Sequence, residues 1–261
     1  SGALTAATFT ATGTAGAAHH LAFTVQPSAS TGGVTFSPVV KVAIQDAYGN
    51  TVTSAASNVT AAITSGTGDL AATLGGTKTV AAVNGVATFS TLTIDKVGAG
   101  YTLTAAASGP LTGTSAAFNV TVGAATQLAF TTSPSTPTGA GTAFATQPVV
   151  TVQDAQGNTV TSSAASITLA ITSGTGKAGA HLLGTVTLAA SGGVADFTGL
   201  GLSVDSAAAG YTLTAASGPL TGATSTAFTI NPGAATQLVV QAGNNQSATA
   251  GTTVTAAPSV V

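Results

Sequence analysis

An eight-residue block, GAATQLAF at Gly123 to Phe130, recurs in close copies at Gly16 to Phe23 (GAAHHLAF) and at Gly233 to Val240 (GAATQLVV). Leu21 and Leu128 are 107 residues apart, and Leu128 and Leu238 are 110 apart. A period of that length is a domain, where solenoids repeat every 20–50 residues. Whatever this chain folds into must therefore close within one period and be joined to copies of itself. Residues 1–16, SGALTAATFTATGTAG, match the closing sequences SGPLTGTSAAFNVTVG at 108–123 and SGPLTGATSTAFTINPG at 217–233. They predict the last strand of a preceding repeat. Residues 234–261 reproduce the opening of a following one, so the two complete repeats are 17–123 and 124–233. That phasing implies a longer array.

Within each repeat the apolar segments are short and rich in Val, Thr, Phe and Ile. Clusters of Gly, Asn, Ser and Pro separate them, which predicts an all-β domain of about seven strands. In Val39 to Gln45 the residues Val40, Val42 and Ile44 share one face. The turn Asp46-Ala-Tyr-Gly49-Asn50 follows, copied as Asp154-Ala-Gln-Gly157-Asn158. Asp bonds the backbone two residues on, while Gly and Asn tolerate positive φ. Asn84-Gly85, between Thr77 to Val83 and Val86 to Phe89, is a strong hairpin signal, and Gly192-Gly193 permits the same turn in the second repeat. The stretch Gly100-Tyr-Thr-Leu-Thr-Ala105 and its copy at 210–215 put Tyr101 and Leu103, or Tyr211 and Leu213, on one face. A tyrosine two residues ahead of a core position on the penultimate strand is where a two-sheet sandwich places a tyrosine corner.

Only 4 % of residues are charged, against roughly 25 % in an average globular protein. The chain has no Arg and no Glu, and Thr fills about a fifth of it. Hydroxyl groups must carry its solubility. A net charge of -2 without arginine argues against nucleic-acid partners and anionic membrane surfaces. No stretch reaches 18 uninterrupted apolar residues, so no membrane span is expected. The absence of Cys removes disulfides, thiol catalysis and zinc-thiolate sites.

The opening L-x-F/V strand, the V-x-V/I-Q-D-A-x-G-N strand and turn at Ile44 to Asn50 and Val152 to Asn158, the N-G or G-G hairpin and the closing G-Y-T-L-T-A strand resemble the bacterial immunoglobulin-like (Big) repeats of invasin- and intimin-type surface proteins. The resemblance covers the whole chain. It implies tandem immunoglobulin-like β-sandwiches arranged end to end, in extracellular, non-enzymatic rods that carry other modules away from a cell surface or serve as adhesive or filament material. The linker of about five residues near 123–127 is too short for free swinging, since even a Gly-rich chain of that length spans only about 12 Å.

The candidate residues point to architecture. Asp46, Gly49, Asn50, Asp154, Gly157, Asn158, Asn84 and Gly85 are assigned to turns, and Tyr101 and Tyr211 to corners. Asp95 and Asp205, each six residues before its tyrosine, recur in the same way. A calcium site at Asp46 to Asn50 is the competing reading, but one carboxylate falls far short of the six to eight oxygens calcium takes. His19 and His20 are replaced by Thr-Gln in the other copies, and His181 stands alone, so no metal or other cofactor is expected. Asn58, Asn119 and Asn245 match the N-x-S/T glycosylation pattern. The faces carrying Thr102, Thr104, Thr212 and Thr214 are read as solvent faces of neutral sheets, ahead of an ice- or sugar-binding plane.

No constellation of titratable groups suits an enzyme. The leading expectation is a structural segment of an extracellular stalk, filament or surface layer. Its partners are neighbouring repeats and further copies of itself. A second is an adhesin or carbohydrate- or surface-binding module, with Thr136 to Thr146 and Gly176 to Leu183 as the loops in which to look for a ligand. A third is a filament subunit polymerising by strand donation from residues 1–16 into 234–261.

Overall fold

The computed structural model describes residues 10, 12–136, 138–234 and 238–261, and its regular elements are all strands. The predicted closing strand over residues 1–16 falls largely outside the described residues. A chain dense in Thr and Val, with Gly at many of its turns, favours this outcome because β-branched side chains fit a pleated surface better than a helix.

The first repeat is a sandwich of two antiparallel sheets. In one, Val40–Gln45 lies between His20–Val25 and Val86–Phe89. In the other the order is Thr112–Thr114, Leu103–Ala107, Asn58–Ile63, Thr79–Ala81. A third ladder joins Ser30–Thr31, Phe118–Thr121 and Gly98–Tyr101. The Gly98–Tyr101 and Leu103–Ala107 segments are successive parts of one broken strand, as are Thr112–Thr114 and Phe118–Thr121, so seven principal strands result. The second repeat copies the plan, with Gln127–Thr132, Val149–Gln153 and Val194–Asp196 in one sheet and Thr187–Ala189, Ser166–Ile171, Leu213–Ala216 and Ala223–Thr224 in the other.

Each repeat has its own core. Leu21, Phe23, Val40, Val42, Ile44 and Phe89 of one sheet meet Val59, Ala61, Leu103 and Ala105 of the other. Leu128, Val150, Val152, Ile167, Leu169 and Leu213 do the same in the second repeat. The period-2 burial of Asn58–Ile63, with Val59 and Ala61 inward and Asn58 and Thr60 outward, is what a two-sheet core demands of its strands. Outward threonines pair across strands: the hydroxyls of Thr60 and Thr79 are 2.9 Å apart, and those of Thr64 and Thr104 2.7 Å apart. These pairs do the cross-strand work that ion pairs do on ordinary sheets.

The Asn84-Gly85 turn departs from the expected hairpin. Its φ angles of 49° and 76° and the reciprocal bonds of Val83 and Val86 make a tight two-residue turn. Its arms then diverge: Thr79–Ala81 pairs with Asn58–Ile63 and Val86–Phe89 pairs with Val40–Gln45. The turn carries the chain from one sheet to the other. Its backbone is pinned between them, with Gly85 N–H donating to the Ala55 carbonyl and Ile44 N–H to the Gly85 carbonyl. Beyond the second repeat, Val240–Ala242 pairs antiparallel with Ser259–Val260, the register with which the other repeats open, but here both strands are exposed.

Candidate functional site

The D-A-x-G-N turns sit at the end of each repeat where the chain enters it. In the second repeat, Asp154 Oδ1 accepts the N–H groups of Gln156 and Asn158, each at 2.9 Å, and Oδ2 accepts the linker N–H of Gly123 at 3.0 Å. The Asn158 side-chain amide donates to both carboxylate oxygens. The first repeat repeats the pattern, with Asp46 accepting from Gly16, Tyr48 and Asn50. Asp is needed because its short side chain reaches the backbone of its own turn and still has an oxygen left for the linker. Both oxygens are occupied by N–H donors, an environment suited to an anion and hostile to a calcium ion. Gly49 and Gly157, at φ of 84° and 77°, close the turns.

The second turn then crosses into the preceding repeat. Asn158 Nδ2 donates to the Asp95 carbonyl at 2.8 Å, and its Oδ1 accepts the Val97 N–H at 3.2 Å. Lys96 Nζ donates to the Gln156 carbonyl at 3.1 Å. The 95–97 loop is itself fixed from below. Tyr101, fully buried and stacked on Phe118 at 5.9 Å, donates its hydroxyl to the Lys96 carbonyl at 2.9 Å. Tyr211 does the same to Ser206. A continuous path therefore runs from the core of one repeat through Tyr101, the 95–97 loop, Asn158 and Asp154 to the linker at Gly123.

Asp95 and Asp205 tie a neighbouring loop to the corner, accepting the N–H of Thr73 at 2.7 Å and of His181 at 2.9 Å. The SGTG segments lie over the tyrosines, with Gly68 and Gly176 against the rings of Tyr101 and Tyr211. Thr67 and Thr175 turn these loops back onto the sheet by accepting the N–H of Thr102 and Thr212. The repetition of SGTG in the sequence was the available signal for this packing.

The joint is electrostatically biased toward the charged carboxylate. The Gly16 N–H, then the Asn50 amide and the N–H groups of Asn50 and Tyr48, bring the Asp46 carboxyl from 3.8 to about 2 against its loss of hydration. Burial raises Asp154, but the Asn158 amide and the N–H groups of Gly123, Asn158 and Gln156 outweigh it and hold the group below 3.8. Carboxyls lowered by folding stabilise the folded state above their unfolded value and lose that contribution as pH falls toward the folded one. Urea midpoints are therefore expected to be flat, as far as these groups decide them, from pH 7 to about pH 4.5. They should fall steeply between 3.8 and 2. Asp154→Asn should reduce that acid dependence in the second repeat; an unchanged slope would show that Asp154 does not couple to folding.

The remaining candidates are separate from the joint. His19 and His20 stand edge to face at 5.8 Å, and among the described residues no group of three or more His, Cys, Asp or Glu could hold a metal. Asn58, Asn119 and Asn245 are exposed, and Asn119 Oδ1 accepts the Gly100 N–H at 2.9 Å. The loops at 136–146 and 176–183 serve the sandwich: Thr138–Gly139 pairs in parallel with Phe228–Asn231, and the 176–183 loop is held by Asp205. An open groove beside Phe144, Gln147 and Thr198 has no titratable side chain in its wall.

No family model and no curated protein matches the chain. Among solved structures it is similar to a β-glycosidase from Bacteroides vulgatus (13 % identity, TM-score 0.33, covering 80 % of this chain and 24 % of that one). It is also similar to a chimeric titin Z1Z2-Z1Z2 tandem (14 %, 0.25, covering 82 % and 100 %) and to the fibronectin(III)-like modules of Clostridium thermocellum CbhA (12 %, 0.23, covering 80 % and 92 %). The chain thus spans about a quarter of the length of the glycosidase. At such scores these likenesses carry no functional argument. The all-β, immunoglobulin-like sandwich architecture stands on the sheets and cores described above.

Proposed function

We propose that the chain is a non-enzymatic, load-bearing segment of a repetitive extracellular stalk, filament or surface layer of the bacterial immunoglobulin-like kind. The carrying observation is the joint at Asn158, which grips the preceding repeat almost wholly through backbone atoms, the Asp95 carbonyl and the Val97 N–H. Because backbone atoms are common to every residue type, such a joint extends to any number of repeats without a dedicated partner side chain. Neutral Thr and Ala surfaces lose little hydration when they meet, which supports lateral self-association as well.

The strand order suits a load along the chain. Ser30–Thr31 near the entrance lies parallel to Phe118–Thr121 near the exit, as Thr138–Gly139 lies parallel to Phe228–Asn231. Pulling on the two ends slides such a pair lengthwise, so its hydrogen bonds, including Gly32 N–H to the Thr121 carbonyl at 2.9 Å, resist together. Single-molecule pulling is expected to give two discrete unfolding events, each releasing roughly 300 Å of chain, from about 3.3 Å per residue less the folded length. Soft, continuous extension would overturn the load-bearing reading.

A further inference from the structure

The two D-A-x-G-N turns have the same internal bonds and different surroundings. In the second repeat Asn158 is only 8 % exposed and Gln156 is half-buried, because the first repeat covers them. In the first repeat Asn50 is exposed and Tyr48, the counterpart of Gln156, is 91 % exposed. A large aromatic left in water beside an exposed amide that is held ready by its own Asp46 is the uncovered half of a joint.

The other half is visible where it is filled. Gln156 lies against Gly33, which has no Cβ to obstruct it, while the 95–97 loop offers its carbonyl and N–H to Asn158. Beside Gln156 the joint leaves an open groove of about 310 Å³ between Val34 and Ala155, so the site has room for a larger side chain than glutamine. Val34, 53 % exposed, offers apolar surface to an aromatic ring. The far end of the second repeat is built alike: Gly141 N–H donates to the Val204 carbonyl as Gly33 N–H does to that of Ile94, and Tyr211 fixes the Ser206 carbonyl.

We propose that the Tyr48–Asn50 face is a docking surface for the far end of another immunoglobulin-like repeat of this kind, joined ahead of Gly16. Asn50 takes the backbone carbonyl and N–H of that repeat's tyrosine-corner loop, and the Tyr48 ring lies over its counterpart of Gly33. This deepens the array reading and rests on it.

Tyr48 reports on the docking directly, because the other two tyrosines, Tyr101 and Tyr211, are fully buried. Tetranitromethane, which nitrates accessible phenols, is expected to modify the 261-residue chain rapidly at Tyr48 alone. In a chain with residues 17–122 placed directly before Gly16, in place of residues 1–15, Tyr48 occurs twice: one copy outermost, one at the new joint. The expected result is one rapid nitration per chain; two would overturn the docking. A second chain, with residues 124–233 placed before Ala17, has a single Tyr48 and should show no rapid nitration, where one rapid event overturns the proposal. Unreactive core tyrosines mark either chain as folded. Two cooperative unfolding events under load with Tyr48 still reactive would overturn the docking and leave the array reading standing.

Discussion

Gly176→Ala will unfold the second repeat at markedly lower urea than the unaltered chain and leave the first repeat's transition where it is. Gly176 has φ of 63°, and a Cβ there falls within the ring of Tyr211. That ring has nowhere to go. It is fully buried, stacked on Phe228 at 5.8 Å, and tied by its hydroxyl to the Ser206 carbonyl at 2.8 Å. Overpacking a rigid site costs about 1–3 kcal/mol, and the left-handed conformation adds about 1 kcal/mol for an L side chain. A loss of about 2–4 kcal/mol is a large share of the roughly 5–15 kcal/mol that holds a domain folded. Gly174, two residues away, supplies the control: its φ is 79°, but an added Cβ has nothing within 4 Å. Gly174→Ala should therefore cost only about 1 kcal/mol. Equal losses at the two positions would mean that backbone conformation, and not the tyrosine, makes SGTG necessary.

Much of this fold is legible in the sequence because its determinants are local. The alternation of Val40, Val42 and Ile44 is a property of one strand, the Asn84-Gly85 turn a property of two residues, and Tyr101 announces its corner by standing two positions before Leu103. The divergence of the hairpin arms was hidden. It depends on Thr79–Ala81 finding Asn58–Ile63, a pairing set by a hydroxyl contact between Thr60 and Thr79 and by the sheet into which each face is buried.

The joint was legible only in half. The D-A-x-G-N turn shows itself by recurrence, and its internal bonds follow from the reach of an Asp side chain. What Asn158 grips does not show, since a backbone carbonyl at Asp95 and an N–H at Val97 leave no mark in the choice of side chain. Asn50 and Asn158 are the same letter in the same motif, and burial alone separates a filled joint from an open one. The linker glycines are similar. Gly16 and Gly123 look like spacers, and the N–H group that each gives to a carboxylate is invisible until the chain is folded.

Asp154→Ala is expected to have the largest effect on how the two repeats move relative to each other. The substitution removes at once the acceptor of Gly123, Gln156 and Asn158 N–H groups and of the Asn158 amide. Buried donors left without partners cost about 1–3 kcal/mol each where water cannot reach them, so the second repeat should lose about 2–4 kcal/mol in all. The larger consequence is geometric. Asn158 keeps its orientation because its amide bridges Asp154 and the Asp95 carbonyl; without the carboxylate it is free to rotate away, and the contacts to Asp95 and Val97 go with it. Among the described residues, Lys96 to the Gln156 carbonyl is then the polar contact left across the joint, and it is made by a flexible side chain. Nuclear spin relaxation should accordingly report one common tumbling time for both repeats in the unaltered chain and two shorter, separate times in Asp154→Ala. Asp46→Ala makes the same chemical change at the open turn and should leave the common tumbling intact. If Asp154→Ala tumbled as one body, the linker's short length would be what aligns the repeats, and the turn would serve its own domain only.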